Sequence, residues 1–403
     1  MKGAKFKMKV AIICPEYLPV PACNGGAVET LISYLIEDNE KYKDLEIDLY
    51  SLYDKKNVKK KYKHTQIYMI KKSGFLKYVC KFINFFQKIL NIKLIYRFRP
   101  YNINLINMIK KNNVIYDKII VENCMYLYFD IYKKFGKSTP IYYHMHNDID
   151  EINKPVYLTK FVTKTAKKTL VVSEYLKKRI LEVNTSAVVD VLYNCVDIEK
   201  FSYNLDKRRI YRKKYNINDN DFVFMFSGRI TDDKGVFELI SAFNHLNNNN
   251  KNTKLLIVGS TWFGSSKLSD YQKKLNNLSY DNVIFTGYIT NDEMPNIYSM
   301  SDCVVIPSKW EEPFGVVGLE AMANSKRIIV TRSGGLMEFL NKNNSIVIDK
   351  GKTMINDLTE AMSNLIINRD ILKIQNKAYD DLIKNKGFNR NNYFNNFVSL
   401  IKK

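Results

Sequence analysis

Short apolar runs alternate along this chain with longer stretches whose apolar positions recur at helical spacing. That rhythm predicts parallel β-sheets covered by α-helices. In the first half, strands are expected at residues 9–14, 47–52, 118–121, 141–144 and 169–172. A helix is expected over 28–39, directly after a glycine-rich turn. The rhythm repeats in the second half, with strands at 222–227, 254–258, 283–286, 303–307, 327–331 and 345–348. Helices there include 236–246 and 316–324. A polar stretch at 197–219 separates the two series. The chain of 403 residues suits two domains of this kind. The fold class read from the pattern is α/β, with two doubly wound, Rossmann-like domains over 1–203 and 206–385.

Composition narrows the function. No apolar run reaches the roughly 18–20 residues of a membrane-spanning helix, and the apolar stretch after the lysine-rich start is too short for a signal-peptide core. A cytoplasmic protein is expected. The six cysteines are scattered, with no CxxC and no His/Cys cluster, so neither disulfides nor zinc are expected. The net charge of +22 is uneven: residues 1–203 hold 35 basic and 20 acidic residues, a net of +15. Residues 55–116 hold 16 Lys and Arg and no Asp or Glu. Within them, residues 75–90 interleave aromatic and aliphatic side chains with Lys77, Lys81 and Lys88. A helix of that pattern has an apolar face rimmed by cations and suits the interface of an anionic bilayer. The other reading is a core-packed helix with a solvated basic face. No recognition helix, zinc finger or RNA-binding sheet signature accompanies the charge, so nucleic acid is not an expected partner.

The stretch 307–324, PSKWEEPFGVVGLEAMAN, carries the most chemistry. A strand ends at Pro307, and a loop brings Glu311 and Glu312. Gly315 permits close backbone approach at a helix start, and Glu320 follows inside that helix. Free N–H groups at Gly315, Val316 and Val317 would face the carboxyl end of the sheet as an anion site. A carboxylate on either side of that anion suits a sugar–diphosphate–ribose. In SGRITDDKG, residues 227–235, Arg229 and Lys234 fall just beyond a strand end. Their cations would neutralise a diphosphate and stabilise it as a leaving group.

Together, Gly228-Arg229, Lys234-Gly235 and the Glu312-x7-Glu320 motif resemble the retaining glycosyltransferases of the GT-B fold, specifically the bacterial family 4 (group 1). The glycine pair Gly25-Gly26 and the helix after it look like the family's N-terminal loop. The resemblance implies two Rossmann-like domains facing across a cleft, with residues 386–403 returning to the N-terminal domain. It gives Arg229 and Lys234 the donor diphosphate, Glu312 the sugar hydroxyls and Glu320 the ribose hydroxyls. Phe314, Gly315 and Val316 would approach the donor through their backbone, Gly25 and Gly26 would lie near the phosphate, and Tyr288 near the base. His146, in YYHMHND, would face the donor sugar, with His144 as its buried neighbour. Catalytic roles are thus expected for His146, Arg229, Lys234 and Glu312.

The implied reaction moves a hexose or N-acetylhexosamine from a UDP-type donor to a growing, lipid-linked surface glycan, as in lipopolysaccharide or capsule assembly. The protein would be peripheral on the inner face of the membrane. No cofactor and no metal are expected, since Arg229, Lys234 and a helix N-terminus already supply positive charge. Asp148-x-Asp150 is the one weak hint of a metal motif. Glu16 and Glu29 flank the glycine loop, as acceptor contacts or, for Glu29, as a helix first-turn residue. Trp262 and Phe263 would line the cleft or plug their loop. Two other classes stay open: a nucleotide-sugar enzyme of the same fold that is not a transferase, of the epimerase type, and a non-catalytic binder of polyanions or membranes.

Overall fold

The computed structural model describes residues 7–23, 25–72, 78–79, 81–82, 85, 99–149, 156–247, 252–260, 269–368, 378–382, 384 and 387–403. Two compact units divide the chain: Met1–Leu192 with Phe394–Lys403, and Tyr193–Tyr393.

The first unit is built on seven parallel strands: β1 (Met8–Ile13), β2 (Leu45–Leu52), β3 (Thr65–Ile70), β4 (Lys118–Glu122), β5 (Ile141–Met145), β6 (Lys168–Val171) and β7 (Val189–Val191). Their order is β3-β2-β1-β4-β5-β6-β7. The central strands read as continuous apolar runs because a sheet covered on both faces buries every position. Val10 to Ile13 and all of β5 are buried. β3 and β7 escape the sequence pattern. β3, at the sheet edge, is buried only at Thr65 and Ile70 and exposed or half-buried between them, and β7 is only three residues long.

Six parallel strands form the sheet of the second unit: β8 (Phe222–Ser227), β9 (Thr253–Val258), β10 (Val283–Gly287), β11 (Cys303–Ile306), β12 (Arg327–Thr331) and β13 (Ile346–Ile348). The order is β10-β9-β8-β11-β12-β13. Each sheet therefore reverses its winding once, between β1 and β4 and between β8 and β11. Such reversals open a crevice at the carboxyl ends of the strands.

The expected boundary near 203 shifts. Residues Tyr193–Tyr203 belong to the second unit. Val196 donates its N–H to the Phe388 carbonyl at 2.9 Å, Asp197 pairs with Arg390 at 3.0 Å, and Asn324 Nδ2 donates to the Phe201 carbonyl at 2.7 Å. These contacts are remote in sequence, so a polar stretch looks like a linker although it is stitched to one unit. The last helix, Arg390–Lys402, crosses the division, and from Phe394 onward it belongs to the first unit. There Phe394 stacks on Tyr42 with centroids 5.2 Å apart, and Lys168 Nζ donates to the Leu400 carbonyl at 3.1 Å.

No helix among the described residues is long and apolar enough to cross a membrane. Of the basic stretch over 75–90, Tyr78, Val79, Lys81, Phe82 and Phe85 are described. They are helical, and Tyr78, Phe82 and Phe85 are exposed. Phe75, Lys77, Phe86, Lys88, Asp150, Trp262 and Phe263 lie outside the described residues.

Candidate functional site

In the second unit, the loops after β8 and β11 supply the residues that the sequence singles out. Gly235 follows Lys234 at a left-handed φ of 69°, and a Cβ there would lie 1.9 Å from the Pro307 carbonyl oxygen. Only glycine lets the two loops approach so closely. The approach delivers Lys234 Nζ to 2.6 Å from Glu312 Oε1 and 4.8 Å from the Trp310 ring centroid. Ser308 Oγ donates to the same Glu312 oxygen at 2.5 Å. The Glu312 backbone is also fixed: its N–H donates to Ser333 Oγ at 2.9 Å, and its carbonyl accepts the Gly335 N–H at 2.8 Å. Lys234 and Glu312, assigned to different parts of the donor, thus form a preset ion pair. Arg229 stands apart from them. It is half-exposed, with Asp233 4.0 Å away.

Beyond Glu312, the chain turns through buried Phe314, which packs on Phe339 at 4.9 Å between centroids. Gly315 has φ 88°, and a Cβ there would lie 2.3 Å from Leu336 Cδ2. It opens the helix Val316–Ala323 and, lacking a side chain, does not itself cap the start. The first-turn N–H groups and the positive end of the helix dipole are therefore available to an anion. Glu320, in the same helix, accepts a hydrogen bond from Tyr298 Oη at 2.7 Å. Burial pushes its carboxyl up to about 7, against the opposing effects of Tyr298 and of the Lys200 charge. Tyr288 is half-buried and follows Gly287, which has φ 70° at the end of β10.

The first unit assembles a different kind of site. Gly25 and Gly26 have φ of 82° and 98°, and Gly26 starts the helix Ala27–Tyr42. A Cβ on Gly26 would meet Glu29 Oε2 at 2.0 Å, so the glycine makes room for a buried carboxyl. Burial raises that carboxyl to about 7; its own backbone N–H opposes the rise, and nearby Glu122 adds to it. Glu29 is thus more than an exposed first-turn residue.

Glu122 ends β4 and pairs in register with His144 on the neighbouring β5. Its Oε2 lies 3.0 Å from His144 Nδ1 and 3.2 Å from His146 Nε2, and those two nitrogens are 3.2 Å apart. Exposure is 2% for Glu122, 1% for His144 and 7% for His146, so water does not screen the group. Burial by itself raises the Glu122 carboxyl, but the two imidazoles outweigh burial and hold it at about 2. A carboxylate that stays ionised here accepts from both rings. Asn123, at a left-handed φ of 44°, accepts the His146 N–H through Oδ1 at 3.0 Å and donates its own N–H to the His144 carbonyl at 2.8 Å. Glu122 and Asn123 thus hold the residues of the expected catalytic histidine from side chain and backbone.

These three side chains are also the group of His and carboxylate donors, among the described residues, close enough to hold a metal ion. Asp148 of the D-x-D hint is engaged elsewhere, accepting from Tyr175 Oη at 2.7 Å with Arg179 at 3.4 Å.

Sequence reasoning missed Glu122, Ser308, Ser333 and Tyr298. Glu122, Ser333 and Tyr298 sit outside the motifs, and strand register or tertiary packing brings them to the site; Ser308 lies within the stretch 307–324, four residues before the Glu312 it bonds. The fact that Glu122 is charged at the end of an otherwise apolar strand was the one visible signal.

Comparison with known proteins bears on the family and the fold. Residues 207–386 match the family described as "Glycosyl transferases group 1". The chain is 29% identical over 341 residues to the putative glycosyltransferase YtcC of Bacillus subtilis, covering 81% of this chain and 76% of that protein. It is 30% identical over 246 residues to a lipopolysaccharide 1,2-N-acetylglucosaminetransferase of Salmonella typhimurium, covering 60% and 61%. Among solved structures it resembles Anabaena HepE in complex with UDP and glucose, with a TM-score of 0.76, 18% identity, and coverage of 98% and 99%. That likeness identifies the two doubly wound domains as the GT-B fold. Residues 207–386 thus match the group 1 glycosyltransferases, and the chain as a whole is similar to proteins of that kind.

Proposed function

We propose that this glycosyltransferase moves a hexose or N-acetylhexosamine from a UDP-linked donor onto a growing, lipid-linked surface glycan, with retention of anomeric configuration. The observation that carries the reading is the uncapped start of helix Val316–Ala323, in the same segment as the Lys234–Glu312 pair and Glu320. An anion at that helix start gains from the dipole and the open N–H groups. On this reading the anion is the donor diphosphate. Lys234 and Arg229 take up the charge that develops as it leaves, Glu312 holds sugar hydroxyls, and Glu320 holds the ribose. In the first unit, Glu122 fixes His146, the residue proposed to act on the donor sugar.

Neither Glu312 nor Glu320 stands free as a covalent nucleophile, because Lys234 and Ser308 engage Glu312 and Tyr298 engages Glu320. Front-side attack follows, with the leaving diphosphate accepting the acceptor's proton. The UDP in the HepE complex and the lipopolysaccharide acceptor in the Salmonella enzyme's name support the donor and glycan classes. Exposed Tyr78, Phe82 and Phe85 beside Lys81 support a membrane-docked chain and hence a lipid-linked acceptor.

A thermal-shift screen across UDP-, GDP- and dTDP-sugars tests the donor. A ligand at 100 times its dissociation constant stabilises by about 2.7 kcal/mol, so a UDP-sugar is expected to raise the melting temperature. No shift with any nucleotide diphosphate sugar would overturn the reading. NMR of the product anomer tests retention. Co-sedimentation with anionic but not neutral vesicles, weakened by salt, tests the membrane; equal or absent binding to both removes that part.

A further inference from the structure

Tyr298 lies wholly buried on the short helix Met294–Met300, outside the motifs of the site. Its hydroxyl donates to Glu320 Oε2 at 2.7 Å. Burial and Glu320 push the pKa of that hydroxyl well up, and Ser227, the last residue of β8 and the neighbour of Gly228-Arg229, opposes the rise. Its ring packs edge-on against Phe201, with centroids 5.7 Å apart. Packing fixes the ring, and the ring fixes one oxygen of the carboxyl. Tyr298 thus ties the helix Met294–Met300 to the carboxyl in the helix after β11, and it is coupled electrostatically to Ser227, just before the loop that begins at Gly228.

We propose that Tyr298 is the positioning residue of the nucleotide site: its hydroxyl orients Glu320 and keeps it ready as an acceptor for the ribose hydroxyls. The inference rests on the assignment of Glu320 to the ribose and goes beyond it by naming what prepares that carboxylate. A carboxylate accepts two hydroxyls well only when ionised. Buried carboxyls resist ionisation, and a hydrogen bond to the charged form counters that resistance. Tyr298 supplies that bond, and the Lys200 charge, itself paired to Asp292 at 2.7 Å, adds to it. Burial still holds Glu320 near 7, so the protonated form competes at neutral pH. UDP affinity should therefore rise with pH across that region in the natural protein. Without the Tyr298 hydroxyl, the midpoint of that rise should move to higher pH.

The test measures UDP binding by calorimetry from pH 5.5 to 9 for the natural chain, Tyr298→Phe, Ser227→Ala and Glu320→Gln, with melting curves confirming that each folds. The ratio of variant to natural affinity cancels the titration of UDP itself. Tyr298→Phe is expected to bind about tenfold more weakly at pH 7, with the loss shrinking as pH rises. Ser227→Ala should shift the midpoint in the same direction by less, and it carries the test if Tyr298→Phe does not fold. A loss equal at every pH would mark Tyr298 as a packing residue and overturn the inference. So would natural affinity and an unmoved midpoint in Tyr298→Phe while Glu320→Gln binds weakly. If Glu320→Gln binds UDP as the natural chain does, the ribose assignment itself is wrong, and Tyr298 has nothing to position.

Discussion

The sites of the two units share a plan and differ in what they do with charge. Each sits where its sheet reverses winding, and each uses a left-handed glycine, Gly26 or Gly315, to start a helix. Each helix then carries a glutamate that burial holds near 7, Glu29 in one and Glu320 in the other. From there they diverge. The first unit buries an ionised carboxylate between two imidazoles, Glu122 with His144 and His146. The second leaves Arg229 half-exposed and its helix start uncapped. A closed acid–base cluster is suited to holding and orienting protons. An open cationic loop with free N–H groups is suited to gripping an anion. One architecture thus supports two chemistries, set by which charges are buried against a partner and which are left open.

The comparison breaks most visibly at Glu122. Glu122→Ala should cost about 4 kcal/mol in urea unfolding, because it removes one side of a buried charge-assisted group. A loss below about 1 kcal/mol would mean that the imidazoles hold themselves. In the second unit, Lys234→Ala should lower turnover on the order of 100- to 1,000-fold while leaving the fold intact, as removal of one transition-state donor does elsewhere. Near-natural turnover would remove Lys234 from the leaving-group role.

The shared buried glutamates give the next test. A carboxyl whose folded pKa is raised stabilises the fold fully below its unfolded value and loses that contribution as pH rises through the folded value. With Glu29 near 7 against an ordinary 4.5, the natural chain should lose up to about 3 kcal/mol between pH 4.5 and 8 at this residue. Glu29→Gln should abolish that part of the slope in pH-dependent unfolding; an unchanged slope would show Glu29 to be solvated. Glu122 runs the other way, its contribution present above 4.5 and lost as pH falls toward 2.

A smaller effect separates the two glutamates of the second unit. Glu320→Ala should weaken free UDP about tenfold, whereas Glu312→Ala should leave UDP nearly unchanged and impair the full donor sugar. Identical behaviour toward UDP would merge the two roles. The smallest expected effect is of excess EDTA on transfer, which should be none if, as proposed, Arg229 and Lys234 bring positive charge to the donor anion. Loss of activity rescued by manganese or zinc would instead assign the Glu122–His144–His146 group to a metal.

Much of this was legible in the chain. The alternation of apolar runs with helical stretches gave the two sheets, because strands covered on both faces must be apolar throughout. The glycine pair and the Glu312–Glu320 spacing marked the loops, because left-handed turns and helix periodicity are local properties. The edge strand β3 and the three-residue β7 were not legible, since half-exposed or very short strands carry no distinctive period. Nor was the boundary at residue 192, because long-range bonds to Phe388 and Asn324 decide to which unit the following segment belongs.

The sequence by itself determined the fold class and the positions of the glycine turns, and it singled out the residues proposed for the donor. Tertiary structure decided the partnerships. Glu122 meets His144 because β4 and β5 pair in parallel with those residues in register. Lys234 meets Glu312 because Gly235 lets one loop pass against the other. Tyr298 meets Glu320 because a separate helix packs its ring into the interior. Local pattern governs backbone conformation within a few residues, while hydrogen bonds and burial between residues distant in the chain exist only once the sheets have formed. The protonation states that distinguish the two sites depend on those distant partners, so they belong to the folded molecule.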